Sequence, residues 1–341
     1  MSFYKSVHLV ERPTDHVVPD QIFAFKTHRI PESINDGEIL LQILYLSVDP
    51  AMRRWMDGSN YSAPPLIELG GVMRGSGIGI VTASKSSNFP VGSYASGMCG
   101  WTEYALMREK DVDALDLPKG VRLTDHLGVL GLTSLTAYFG ILDIGNVKKG
   151  DFVVVSGAAG AVGSVVGQIA KIHGATVLGL AGSGEKAQLM KKELGFDFAL
   201  NYKDADFAQK FTDTTKDLVD VYFDNVGGEI LDLALSRAKP HSRFVMCGAT
   251  SEYNRAKPKG LINYPMIIAK RITMQGFTVL DYPDRFQEAK EQLAEWLLQG
   301  KLKRKETIIK GGLGNAPQAL LDLFDGKNTG KTMIEVQELE G

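Results

Sequence analysis

The chain has 341 residues, is 44% apolar, and carries 38 Lys and Arg against 40 Asp and Glu. That length suits two domains or one large one with a sizeable core, and a charge near zero argues against nucleic acid or a membrane surface as partner. No apolar stretch reaches about 18 residues, the start Met1-Ser-Phe-Tyr-Lys-Ser6 lacks a secretory core, and two cysteines, Cys99 and Cys247, cannot form a disulfide framework. A cytoplasmic, reducing home is expected, in which the sequon Asn60-Tyr-Ser62 has no meaning.

Residues 1 to about 126 read as β-rich. Ile39–Leu46 is a strand by its apolar, β-branched content, and Val72–Ala83 is a strand that Gly75, Gly77 and Gly79 should bend or bulge. Tyr94–Ser96 and Trp101–Met107 continue short strands between turns. This is the texture of a small, barrel-like β domain. After Asp125 the pattern changes. Leu127–Leu142 reads as a helix, and strands then alternate with helices. Strands are expected at Phe152–Val155, Thr176–Ala181, Phe198–Leu200, Val219–Phe223, Phe244–Cys247 and Thr273–Val279. Helices are expected at Val162–Ile172, Glu185–Leu194, Ala205–Thr214, Glu229–Ala238 and Arg285–Leu298. Such alternation predicts a parallel, doubly wound sheet able to hold a dinucleotide. The tail, with a helix at Ala316–Phe324 and a strand at Thr332–Val336, should rejoin the first domain. The expected division is residues 1–126 plus 303–341, and residues 127–302.

The stretch from Asp151 to Gly167 holds a buried strand, a glycine turn and a helix start. That order aims backbone N–H groups at a phosphate. The turn, Gly157-Ala-Ala-Gly160-Ala161-Val162-Gly163, is an incomplete dinucleotide fingerprint, with Ala158 in place of its first glycine. An NAD site places Asp or Glu about 20 residues on, to bind the ribose 2′-hydroxyl. Here the second strand ends in Leu180-Ala-Gly182-Ser-Gly184, without a carboxylate, and Lys186 follows within a turn. A cation without that acid suits a 2′-phosphate, and hence NADP(H).

A catalytic zinc needs three protein ligands and a structural zinc four. Cys99, Cys247, His8, His16, His28, His126, His173 and His241 are scattered, without C-x-x-C or H-E-x-x-H spacing. A zinc-free site is expected, in which hydrogen-bond donors or the cofactor's own hydroxyls must polarise a substrate carbonyl. Gly326-Lys-Asn-Thr-Gly330-Lys331-Thr332 imitates a P-loop, but its glycines are one residue too close and a strand rather than a helix should follow.

These residues, with Asp49-Pro-Ala-Met-Arg53, Leu135-Thr-Ala-Tyr-Phe-Gly140, Tyr222-Phe-Asp-Asn225-Val-Gly-Gly228, Met246-Cys-Gly248, Tyr253-Asn254, Gln275-Gly-Phe277 and Phe324 to Lys331, resemble the zinc-independent medium-chain dehydrogenases/reductases. Within them the chain is similar to the group of prostaglandin reductase, leukotriene hydroxydehydrogenase and alkenal double-bond reductase. The resemblance runs over nearly the whole chain and is weakest before residue 40. It implies a Rossmann domain beside a GroES-like catalytic domain, with the cofactor in the cleft between them, and a homodimer. It places the pyrophosphate at Gly160–Gly163, the 2′-phosphate at Lys186 and Tyr202, and the nicotinamide ribose at Asn225. Cys247, Gly248, Tyr253, Phe277, Thr278 and Val279 would line the nicotinamide pocket, and Asn328 would close over the cofactor.

Tyr253 matches the family's polar group near the substrate carbonyl, and Arg53 and Tyr264 are further substrate candidates. The chain departs from the family in two places. Ala269 stands where a tyrosine is common, with Tyr264 five residues earlier, and the substrate-lining segment Trp55–Ile67 is individual to this chain. The activity implied is NADPH-dependent reduction of the carbon–carbon double bond of α,β-unsaturated ketones and aldehydes. The alternative is a zinc-free alcohol/ketone or quinone oxidoreductase.

Overall fold

A computed structural model describes residues 2–14, 16–57, 66–255 and 259–338. The sequon at Asn60 and the greater part of the Trp55–Ile67 segment lie outside the described residues. The chain divides into two compact units, Met1–Leu127 with Thr307–Gly341, and Gly128–Glu306.

The first unit begins with an antiparallel hairpin of β1 (Phe3–Leu9) and β2 (Phe23–Arg29), the latter preceded by a short helix α1 (Pro19–Ile22). Strands β3 (Glu38–Val48), β4 (Gly77–Ser84), β5 (Tyr94–Gly97), β6 (Tyr104–Arg108) and β7 (Val112–Ala114) follow. β3 is the hub, pairing antiparallel with both β4 and β6. Its register against β4 slips twice, between Leu40 and Leu41 and between Ile43 and Tyr45. Such bulges bend a strand and curl the sheet around its core. A Cβ on Gly79 would stand 2.7 Å from the Gln42 carbonyl oxygen, so glycine is what lets β4 approach β3. The core behind them includes Val7, Leu9, Leu41, Ile43 and Trp101.

The second unit carries β8 (Phe152–Val155), β9 (Thr176–Ala181), β10 (Phe198–Asn201), β11 (Val219–Asp224), β12 (Ala238–Met246) and β13 (Thr273–Gly276). They form one sheet in the order β10-β9-β8-β11-β12-β13, parallel throughout. This is the doubly wound dinucleotide order, which reverses between β8 and β11. Val153, Val154 and Val155 have no exposure, as a strand covered on both faces requires. The helices are α2 (Leu132–Phe139), α3 (Ala161–Ile172), α4 (Gly184–Lys192), α5 (Phe207–Thr214), α6 (Gly228–Ser236), α7 (Pro265–Lys270) and α8 (Phe286–Leu298).

The tail supplies β14 (Glu306–Ile309), α9 (Ala316–Phe324) and β15 (Lys331–Glu335). β15 pairs antiparallel with β3, Thr332 opposite Val48. The Lys331 ammonium is buried, donating to Asp49 Oδ1 and, at 3.2 Å, to the Val48 carbonyl. Two of the sequence motifs, 49–53 and 324–331, are thereby fastened together. The P-loop imitation runs into β15, a strand.

Several boundaries differ from the sequence expectation. The helix expected at Leu127–Leu142 is α2 alone, followed by a π-helical turn at Gly140–Ile144. A Cβ on Gly140 would lie 2.6 Å from the Phe277 ring, so the wider turn makes room for aromatic packing that no local pattern announces. β12 starts six residues earlier than expected, at Ala238 instead of Phe244, because it pairs with Val219 before a register shift. β13 stops at Gly276, where the chain turns into a 3₁₀ turn at Val279–Asp281. α7 and β14 are short elements that the sequence pattern leaves as loop.

Candidate active site

β8 delivers the chain into the glycine turn. Gly157 has φ +59°, a left-handed conformation that turns the backbone out of the strand. The Gly160 N–H closes the turn on the Gly157 carbonyl at 3.0 Å. A Cβ on Gly163 would stand 2.5 Å from that same carbonyl and 2.7 Å from Ala158 Cα. The last glycine therefore permits α3 to pack against the turn. α3 begins at Ala161 after Gly160, with no side-chain cap. The first N–H groups, of Ala161, Val162 and Gly163, are thus presented at the positive end of the helix dipole, which suits a pyrophosphate.

The end of β9 gathers a second group of polar side chains. A Cβ on Gly182 would lie 2.7 Å from the Tyr202 hydroxyl and 3.4 Å from Lys203 Cε. Ser183 caps α4, its hydroxyl accepting from the Lys186 N–H at 3.3 Å, and so fixes the turn that carries Lys186. Burial lowers the Lys186 ammonium from its ordinary value, and the Lys203 charge lowers it further. Burial raises the Tyr202 phenol. A half-buried cation beside a second cation is suited to a bound phosphate, which would relieve both costs.

Asp224, part of a sequence motif but given no role there, holds the centre together. It has no exposure. Its Oδ1 accepts from the Ser156 hydroxyl at 2.8 Å, the Tyr222 hydroxyl at 3.3 Å, and the N–H groups of Val226 and Gly227 at 3.1 and 3.0 Å. Its backbone carbonyl accepts from Cys247 and Gly248 at 2.9 and 3.0 Å. Ser156 in turn accepts from the Asn225 N–H at 2.8 Å, and the Asn225 amide donates to the Ser156 carbonyl at 2.7 Å. The ends of β8, β11 and β12 are cross-linked by this network, and Asn225 is fixed at their junction. A carboxyl closing a buried apolar strand was the available signal.

Beyond β12, a Cβ on Gly248 would lie 3.2 Å from the Tyr253 hydroxyl and 3.3 Å from the Asn225 carbonyl. The Tyr253 oxygen accepts a long bond, 3.4 Å, from the Ala249 N–H. Burial and the nearby Asp224 push the Cys247 thiol up to about 12, which leaves it protonated and unreactive at neutral pH. The Phe277 side chain turns onto Gly140 and the edge of the Phe223 ring. Thr278 caps the 3₁₀ turn by accepting from Leu280 N–H at 3.4 Å, and Val279 is buried. The turn at 157–163 and residues 182–186, 202, 225, 247–253 and 277–279 all follow strands of one parallel sheet, at its carboxyl edge, where such sheets bind ligands.

Tyr264 precedes α7 and is 59% exposed. In the first unit, Asn328 donates to the Gly330 carbonyl at 3.1 Å. Arg53 is buried, and its guanidinium donates to the carbonyls of Pro13 and Thr14 at 3.2 and 3.5 Å. In the same unit, the Arg74 guanidinium lies 5.6 Å from the centre of the Trp55 ring, a cation–π contact. Among the described residues no group of three or more His, Cys, Asp or Glu is placed to hold a metal ion.

Residues 5–115 match the family described as the N-terminal domain of oxidoreductase, and residues 161–295 match the zinc-binding dehydrogenase family. Prostaglandin reductase 1 of Bos taurus is 40% identical, with 96% of each chain covered. The NADPH-dependent curcumin reductase of Escherichia coli is 38% identical over 88% of each chain. The chain belongs to the zinc-independent medium-chain dehydrogenases/reductases. A solved structure, CurA of Vibrio vulnificus in complex with NADPH, superposes with a TM-score of 0.92 at 36% identity, covering 98% of this chain and all of that one. The sheet order and glycine turn described above suit a dinucleotide.

Proposed function

We propose that this reductase uses NADPH to reduce the carbon–carbon double bond of α,β-unsaturated ketones and aldehydes. The observation that carries the reading is the Tyr253 hydroxyl standing over Gly248 at the carboxyl edge of the sheet. It is a neutral donor beside the place where a nicotinamide ring would lie.

The turn at Gly160–Gly163 would hold the pyrophosphate, Lys186 and Tyr202 the 2′-phosphate, and Asn225 the nicotinamide ribose. Cys247, Gly248, Tyr253 and Phe277–Val279 would border the ring. Asn328 would be a further cofactor contact, and Arg53 and Tyr264 are substrate candidates. NADPH, when bound, would supply the hydride for the β-carbon. The double-bond electrons then move toward the carbonyl oxygen, and Tyr253 donates a hydrogen bond to that developing enolate. A proton from Tyr253 or water completes the α-carbon. Arg53 would act through its hold on the Pro13 and Thr14 carbonyls, which fixes that segment.

The names of the relatives support this reading: prostaglandin reductase 1, a curcumin reductase, and a 2-alkenal reductase of Nicotiana tabacum, 38% identical over 90% of this chain and 89% of the relative. The protein is proposed to work in the cytoplasm as a homodimer. β13 is an edge strand, and Ile262 and Ile268 in the segment leading to it are 75% and 77% exposed. A second copy pairing there would cover both.

Tyr253→Phe tests the assignment. Losing one oxyanion donor costs about 3–4 kcal/mol, or roughly 10²–10³ in turnover. Enone reduction should fall by about that factor while NADPH binding, followed by fluorescence, changes little. Unaltered turnover would remove Tyr253 from the mechanism.

A further inference from the structure

Lys203 stands one residue past Tyr202, in the turn that leaves β10. Successive residues of a strand point to opposite faces. Here the strand has ended, at Asn201, and the turn that follows is held by the Asn201 side chain accepting from the Lys203 N–H at 3.1 Å. The turn brings Lys203 to the same side as Tyr202, with Cε 3.4 Å from the point a Gly182 Cβ would occupy. The acids of this loop are engaged elsewhere. Asp204 and Asp206 both pair with Lys210, at 3.3 and 2.9 Å. Among the described residues the Lys203 ammonium has no hydrogen-bond or ion-pair partner.

We propose that Lys203 is a specificity-determining residue, the second cation for the cofactor's 2′-phosphate. A phosphate monoester carries about −1.5 to −2 charges at neutral pH. Lys186 alone leaves that charge half matched. Lys203 completes the match and brings the pocket from one cation to two, with the Tyr202 hydroxyl as a neutral donor. Without a bound phosphate the two ammonium groups repel each other, which agrees with the lowered Lys186. The arrangement favours NADPH over NADH in two ways: the phosphate attracts both cations, and it relieves their mutual repulsion. Gly182 belongs to the device, since any side chain there would press on Tyr202.

The inference rests on the assignment of the 2′-phosphate to Lys186 and Tyr202. Its test is therefore a binding titration of the full-length protein with two pairs of probes: NADPH against NADH, and adenosine 2′,5′-bisphosphate against AMP. Lys203→Ala should weaken NADPH and adenosine 2′,5′-bisphosphate about tenfold, as expected for one charge-assisted hydrogen bond. NADH and AMP should change less than about twofold, since neither carries the group that the lysine would hold. Lys203→Arg should restore most of the loss, and added salt should narrow the gap between wild type and Lys203→Ala. Equal weakening of the phosphorylated and unphosphorylated probes, or no weakening at all, overturns the role of Lys203. Lys186→Ala is the control. If it leaves the preference for 2′-phosphorylated probes intact, the pocket itself is misplaced and the role of Lys203 falls with it.

Discussion

Four donors converge on a single oxygen of Asp224, while its Oδ2 is buried with no hydrogen-bond partner among the described residues. Burial raises this carboxyl above its ordinary range, against the bonds from Gly227, Ser156, Val226 and Tyr222 that lower it. The native state thus holds the Asp224 proton to a higher pH than the unfolded chain does. Its contribution to stability is present below the ordinary carboxylate range and is lost as pH rises through the raised value. Asp224→Asn keeps an acceptor for all four donors and cannot ionise. Its stability relative to wild type should therefore rise with pH across that window, measured by urea denaturation from acid to neutral pH. Asp224→Ala strands buried donors and should cost about 3 kcal/mol at any pH. A flat difference between Asp224→Asn and wild type across the window would refute the titration. Lys186 was legible as a cation where an acid was expected. Asp224 and Lys203 were not, because their meaning depends on three strand ends meeting and on a turn's direction.

At the scale of elements, the parallel sheet was legible because its strands are buried on both faces and read as short apolar runs, Val153–Val155 above all. The glycine turn was legible from strand, glycines and helix in order. The π-helical turn at Gly140–Ile144 was not, since Gly140 answers to Phe223 and Phe277, far away in sequence. The short β14 escaped because so short a strand carries too little pattern. Helix packing gives a paired test. Gly167 in α3 faces the Phe196 ring with no room for a methyl, whereas Gly184 at the start of α4 has nothing within 4 Å of a built Cβ. Gly167→Ala should destabilise by about 1–3 kcal/mol through overpacking. Gly184→Ala should be neutral or stabilise by about 0.5 kcal/mol. Thermal denaturation separates them, and equal melting temperatures would contradict the packing seen around α3.

For the whole molecule, the tail's return to the first unit was an expectation from the sequence, and in the structure β15 pairs with β3 and Lys331 with Asp49. The homodimer proposed through β13 is tested by light scattering. Wild type should run at twice the chain mass, and Ile268→Asp should shift the mass toward a monomer. A monomeric wild type would end that proposal. The central claim concerns which bond is reduced. The most direct measurement is product analysis by NMR after turnover of an α,β-unsaturated ketone with NADPH. The account predicts one NADPH consumed for each saturated ketone formed, with the carbonyl intact. An allylic alcohol as product, or no NADPH oxidation with any enone, would contradict it.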